Sequence, residues 1–183
     1  MRLSRRDFMR RFLIAAAAFL VAAGFTAPSF AQLSTPRLTP DQAFVRDLSS
    51  GGLFEIQAAY IALQKTDNED VRQFAKKMVE DHGAADAKLK DTLREANIKE
   101  PQITIDERRM QELDYLKVAD RDFDRQFIQQ QRKAHTDTVK LLENYIQRGG
   151  NEQLKQFATN LLPTIKQHLE MADTLKPKES ARR

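Results

Sequence analysis

Apolar residues recur every three to four positions through four long segments of the chain, with polar residues between them. This is the period of an amphipathic α-helix. The first segment begins at Thr39, a good N-cap followed by a proline, and runs to about Lys65. The second runs from about Glu69 to Ala96. Because the sequence lacks the apolar–polar alternation of strands, it predicts an all-α protein.

The second half of the chain repeats this hairpin pattern. A third long helix is predicted from near Asp120 to a stop at Gly149 and Gly150. Asn151 then caps a fourth helix that ends before Pro177. Each pair of long helices is joined by only a few residues, which predicts antiparallel neighbours.

A longer connection separates the two hairpins. Residues 97–104 include Pro101 and predict a loop, and the stretch from Asp106 to about Val118 predicts a shorter helix. Two hairpins linked in this way predict an antiparallel four-helix bundle of ferritin-like type, with an extra short helix between the second and third long helices.

The N-terminus has the pattern of a secretory signal peptide. A basic stretch precedes an apolar run from Phe12 to Phe25, and the small residues Ser29 and Ala31 precede a predicted cleavage before Gln32. The apolar run is too short for a comfortable membrane span, so we expect no stable transmembrane segment after cleavage. An uncleaved N-terminal anchor is the alternative.

The same region suggests the export route. The run SRRDFM, residues 4–9, resembles the twin-arginine export motif. Paired arginines also occur in ordinary signal peptides, but the Ser and Phe in register favour the twin-arginine route to the periplasm. The predicted organisation is a signal peptide at 1–31, a linker at 32–38, the bundle at 39–176 and a polar tail at 177–183.

Composition narrows the classes of function. The net charge of +4 comes from the N-terminus: without the five Arg and one Asp of residues 1–31, the 30 basic and 26 acidic residues become 25 and 25. The mature chain therefore carries no basic footprint for nucleic acid.

The absence of Cys excludes disulfides, thiolate metal sites and cysteine nucleophiles. No nucleophile elbow, phosphate loop or HExxH motif is present, so the sequence favours a non-enzyme.

Three histidines and one glutamate lie on the apolar faces of the predicted helices. His82, His135 and His168 belong to three different long helices, and Glu55 belongs to the fourth. Counted from the turn of each hairpin, the two polar residues of that hairpin differ in height by only about 6 Å, given a rise of about 1.5 Å per residue. Each hairpin thus brings two candidate ligands near one level, but the sequence does not set the relative height of the hairpins.

Two interpretations of these four residues stay open. If the levels match, the bundle interior holds a mononuclear site for a transition metal such as Zn, Cu or Fe, which would offset the cost of burying the carboxylate. The candidate ligands are Glu55, His82, His135 and His168. Alternatively, the glutamate accepts hydrogen bonds from the imidazoles and the network sets the helix register without metal. The first interpretation predicts an exported metal-binding protein, and the second a non-catalytic envelope or stress-related bundle.

Three neighbouring residues are candidates for an outer role. Met78 and Met171 lie about one turn from two of the histidines and would favour copper if they face the metal, although methionines more often fill cores. Asp86, four residues after His82, could orient that imidazole as an outer partner. Otherwise we expect both Asp86 and Asp81 to be solvated.

Four blocks of the sequence resemble a family of secreted bacterial proteins, domain of unknown function 4142. They are GGLFEIQAAYIALQK, VRQFAKKMVEDHGAADAKL, FDRQFIQQQRKAH and LLPTIKQHLEMA, in this order. The resemblance covers about Asp41 to Ala172 and implies a ferritin-like fold, without naming an activity or partner. The positions that match its motifs are Glu55, Asp81, His82, Asp124, His135, Pro163 and His168.

The sequence departs from the family pattern and from the wider ferritin-like group. Asp86 stands where the family pattern has Asn, and Gln129 and Gln130 replace a more apolar pair. Ferritin-like di-iron sites use Glu-x-x-His motifs, but here Val79 and Ile165 lie three positions before His82 and His168. Ferritin-type iron oxidation is therefore not expected.

Overall fold

A computed structural model describes residues 37–178, and most of them are helical. The five helices are α1 (Pro40–Lys65), α2 (Glu69–Glu95), α3 (Glu107–Val118), α4 (Phe123–Arg148) and α5 (Glu152–Thr174). The four long helices and the short helix in the connection confirm the predicted all-α bundle. The predicted signal peptide and its twin-arginine motif lie outside the described residues, and the predicted domain boundaries stay predictions.

Side-chain caps explain most helix starts. Thr39 and Gln42 form a reciprocal capping box at the start of α1, and Asn68, Asp106 and Asn151 cap α2, α3 and α5. The helix that is predicted to begin near Asp120 begins at Phe123, three residues later. The Phe123 amide donates to the carbonyl oxygen of Asp120, so the preceding residues form a turn before α4 begins.

The four long helices form a square in which neighbours are antiparallel. Helix α1 packs against α2 and α4, and α5 packs against α4 and α2. At one end, the Thr66 hydroxyl donates to Asp124 over 2.7 Å, and at the other the Tyr145 hydroxyl donates to Asp41 over 2.6 Å. The connection from α2 to α4 therefore runs the length of the bundle, and α3 packs on α1 and α4 along the way.

Two apolar clusters fill the bundle. One surrounds Phe54, Phe74 and Phe127 near the α1–α2 turn, and the other surrounds Phe44 and Leu142 near the opposite end. Glu55 and the three histidines lie between them on their respective helices. No helix in the described part of the chain is sufficiently long and apolar to span a membrane.

Candidate metal centre

The three imidazoles meet in the bundle interior. The ring centroids of His82, His135 and His168 are 5.4–5.6 Å apart in every pair. One ring nitrogen of each lies within 4.8 Å of those of the other two. The residues are 7%, 0% and 1% exposed, respectively. The two hairpins therefore place their polar residues at the same level, which the sequence could not determine.

His135 is held by the backbone of its own helix. Its Nδ1 lies 2.8 Å from the carbonyl oxygen of Gln131, an atom that can only accept. In the neutral ring this hydrogen bond assigns the proton to Nδ1 and leaves the lone pair on Nε2. Within residues 37–178, Nε2 is buried and has no hydrogen-bond partner.

His168 is held from the facing helix by Asp81. Its Nε2 lies 2.7 Å from the Asp81 carboxylate, which also pairs with Lys77 over 2.8 Å. This contact puts the proton of the neutral ring on Nε2 and leaves Nδ1 as a buried lone pair with no partner in the described chain. Burial lowers the pKa of His168 to about 4, with the other two imidazoles adding to the effect and Asp81 opposing it. The ring is therefore neutral near pH 7.

Asp81 corrects a sequence expectation. Expected to be solvated beside His82, it is half-buried and links α2 to His168 on α5. Burial raises the pKa of Asp81, but hydrogen bonds from Lys77 and His168 outweigh that effect and leave it below its ordinary value. Because Asp81 immediately precedes His82, its side chain faces the neighbouring helix α5 rather than the bundle centre. Its contact with His168 could be predicted only from the relative height of the two hairpins, which the sequence does not give.

His82 is the least tethered of the three imidazoles. The nearest charged group to its Nδ1 is the Glu55 carboxylate at 3.6 Å, which is beyond hydrogen-bond length. Its Nε2 is buried and has no hydrogen-bond partner among the described residues. Burial lowers the pKa of His82 despite the opposing charge of Glu55. This ring is therefore also neutral near pH 7, with packing rather than a short hydrogen bond holding it.

Glu55 faces the Nδ1 edges of two of the imidazoles. Its oxygens face Nδ1 of His82 at 3.6 Å and Nδ1 of His135 at 3.1 Å. The group of mutually close ligand atoms in the described chain contains the three histidines without Glu55. The carboxylate is fully buried, and neither oxygen has a hydrogen bond within that part of the chain, because His135 directs its N–H at Gln131. The mutually close ligand atoms in the described chain thus come from three of the four predicted ligands.

The other predicted neighbours pair or pack with groups outside the three histidines. The Asp86 carboxylate pairs with Lys90 over 2.8 Å, so the predicted orienting contact with His82 is not formed. A lysine one turn further along the same helix offers the nearer partner. Met78 is fully buried in the apolar cluster near the α1–α2 turn, and Met171 packs against that cluster, as core-filling methionines do.

Solved structures with the same fold include a copper-binding one. Similar chains are "CopM in the Cu(I)-bound form" (20% identity, TM-score 0.61), a DUF305 fragment from Deinococcus radiodurans (14%, 0.64) and a DUF305 protein from Streptomyces coelicolor (18%, 0.61). They cover 75%, 75% and 76% of this chain and 94%, 96% and 95% of their own. At these identities the similarity establishes the fold alone.

The family itself is identified from the sequence. No curated protein matches the chain significantly. The model of a domain of unknown function, DUF4142, matches residues 27–175, which include all five helices and every residue of the site. The chain therefore belongs to the DUF4142 family.

Proposed function

We propose that this protein binds one transition-metal ion through Nε2 of His82, Nε2 of His135 and Nδ1 of His168. The observation that carries the proposal is the set of three buried imidazoles, each with one nitrogen that lacks a partner in the described chain and each with a nitrogen within 4.8 Å of the others. Neutral imidazole is a good ligand for transition metals. Three lone pairs gathered in an apolar interior match one cation.

The hydrogen bonds around the site favour a metal over a self-contained polar network. A network would pair the imidazoles with one another or with Glu55. Instead, His135 and His168 each use their second nitrogen on an oxygen outside the group. Such outer partners fix the tautomer and orientation of metal-binding histidines. The buried Glu55 carboxylate supplies the negative charge that a bound cation would balance.

Among candidate metals, we propose copper as Cu(I), which a set of three imidazole nitrogens can hold. Structural zinc sites almost always have four ligands, whereas three imidazole nitrogens come together here. Imidazole suits copper, and the similar fold of CopM was solved with Cu(I) bound. Met78 and Met171 take no part in this proposal.

We further propose that the protein binds metal outside the cytoplasm rather than acting as an enzyme. The N-terminal signal pattern supports export to the periplasm, through the twin-arginine route if the SRRDFM motif is used. One similar structure is described as that of a candidate secreted protein. The role that fits is to hold or buffer copper.

A metal titration tests the proposal directly. Protein purified from periplasm, stripped of metal and kept under reducing, anaerobic conditions, is expected to bind one Cu(I) per chain in competition with a chromogenic chelator. Free metal at about 1,000 times the Kd should raise the free energy of unfolding by about 4 kcal/mol, and chelation should reverse the gain. Calorimetry of both forms measures it. Binding at less than one equivalent, or binding without stabilisation, contradicts a buried site.

The Asp81→Asn variant tests whether Asp81 orients His168. An amide keeps the shape but weakens the acceptor for the His168 N–H, so we expect the affinity for Cu(I) to fall about 10- to 100-fold. Asp86→Asn is the matched control, because this aspartate lies on the same helix and pairs with Lys90. Equal affinities for the two variants would remove Asp81 from the site.

A further inference from the structure

A cavity of about 250 Å³ connects the surface with the back of the candidate metal centre. Its walls are mostly apolar and come from all four long helices, α4 contributing only Thr138, and from the connection that follows α2. At its rim are Lys90 and Glu100, both exposed, and at its inner end are Glu55 and His82. We refer to it as the His82 cavity.

A second cavity, of about 350 Å³, lies along α2 and α5 and differs in what it reaches. Its lining includes Asp81 and Lys77, but within the described chain it includes none of the three imidazoles. Asp81 and His168 are hydrogen-bonded to each other, so a path from this side would have to break that contact. The His82 cavity reaches an imidazole without such an obstacle.

The imidazole that borders the His82 cavity is also the one held most weakly. His135 and His168 make hydrogen bonds of 2.8 and 2.7 Å, whereas His82 has only the Glu55 oxygen at 3.6 Å. It is also the most exposed of the three, at 7%. Moving His82 therefore breaks no short hydrogen bond, and its ring can turn at lower cost than the other two.

A glycine keeps the edge of this imidazole open to the cavity. Gly52 lines the cavity, and a Cβ at its position would lie 3.6 Å from Nδ1 of His82. Any larger side chain would extend into the space beside the ring. Glu55 lies next to the same nitrogen and offers a carboxylate, without a hydrogen bond in the described chain, along the path of a cation.

We infer that metal enters and leaves through the His82 cavity and that His82 is the ligand that detaches first during exchange. The inference rests on the proposed metal function. If a metal were held by the three imidazoles, exchange would begin with His82 Nε2 giving up its lone-pair contact and its ring turning toward the cavity, and Glu55 would attract the cation on its way to an incoming ligand. His135 and His168, whose rings are held by short hydrogen bonds, would retain the metal until that ligand replaced them. No electron is transferred, and the oxidation state of the metal is unchanged.

Blocking the cavity beside His82 tests this route. Gly52→Leu fills the space next to the ring and changes none of the three histidines in the sequence. Gly83→Leu is the matched control, because Gly83 lies on α2 beside His82 in sequence and a Cβ there meets nothing within 4 Å. Stopped-flow mixing of apo protein with a Cu(I)–chelator complex measures the association rate, and mixing of the Cu(I) form with excess chelator measures the dissociation rate.

We expect Gly52→Leu to lower both rates at least about tenfold while the Kd changes by less than about threefold, because a blocked path slows both directions equally. Gly83→Leu should match the wild-type rates. Gly52→Ala, whose Cβ makes only an ordinary contact, is expected to fold normally and to slow both rates to a smaller extent.

The outcomes separate the route from the site. Wild-type association and dissociation rates in both Gly52 variants would overturn the proposed route while leaving metal binding intact. A variant that loses affinity only because it dissociates faster would also overturn the route. Failure of the wild-type protein to bind Cu(I) would instead refute the proposed function, and the route with it.

Discussion

His135→Leu is expected to abolish specific metal binding while the bundle remains folded. The variant removes one of three nitrogen donors from the centre of the site, where His135 is completely buried. We expect the affinity for Cu(I) to fall by more than the roughly 10- to 100-fold that loss of an outer partner causes. Leucine is apolar and of similar size, and it replaces a ring whose Nε2 lacks a partner in the described chain, so the apo fold should persist.

The measurement is Cu(I) competition on the wild-type and variant proteins, with circular dichroism to confirm that both are helical. Gln129→Leu is the control, because it makes the same kind of change at an exposed position of α4. His82→Leu and His168→Leu should give the same loss. Wild-type affinity in a folded His135→Leu protein would end the three-histidine proposal.

Glu55→Leu is expected to act in opposite directions on the apo and metal-bound forms. In the apo protein, Glu55 is a fully buried carboxylate with no hydrogen bond in the described chain. Replacing such a group with an apolar one should raise the free energy of unfolding by about 1–3 kcal/mol. In the metal-bound protein, the same change removes the charge that balances the cation, so the affinity and the stabilisation by metal should both fall.

The opposite effects of Glu55→Leu on the stability of the apo and metal-bound proteins distinguish a metal site from a metal-free network. If Glu55 instead held the imidazoles together as their acceptor, Glu55→Leu would destabilise the apo protein. Thermal and denaturant unfolding of both forms provide the measurement. Asp47→Leu, at an exposed position of the same helix, is the control and should change stability by less than about 0.5 kcal/mol. A destabilised apo Glu55→Leu protein would favour the network.

The helices could be predicted closely because their determinants are local. The 3–4 spacing of apolar residues marks each buried face, and the caps at Thr39, Asn68 and Asn151 involve residues two or three apart in sequence. The start of α4 lies three residues after the predicted one for the same reason. Asp122 makes no capping hydrogen bond, so no strong local signal marks that boundary.

The inward positions of the four polar residues were also predictable, since they follow from the same period. Their partners were not. Asp81 and His168 are 87 residues apart, and their contact exists only because α2 packs against α5 at a particular relative height. The ligand role expected for Glu55 likewise depended on which ring edge it approaches, and sequence spacing carries no information about that.

The sequence by itself thus determined an all-α bundle with three histidines and a glutamate directed inward, because helical period and capping act within a few residues. Only the tertiary structure decided that the two hairpins match in level, so that one ring nitrogen of each histidine lies within 4.8 Å of the others, and that each ring keeps a buried nitrogen without a hydrogen bond in the described chain. It also decided that Glu55 faces Nδ1 of His82 and His135 and that Asp81 reaches across to His168. Those features depend on packing between helices distant in sequence, where side-chain shape and hydrogen-bond direction set the geometry.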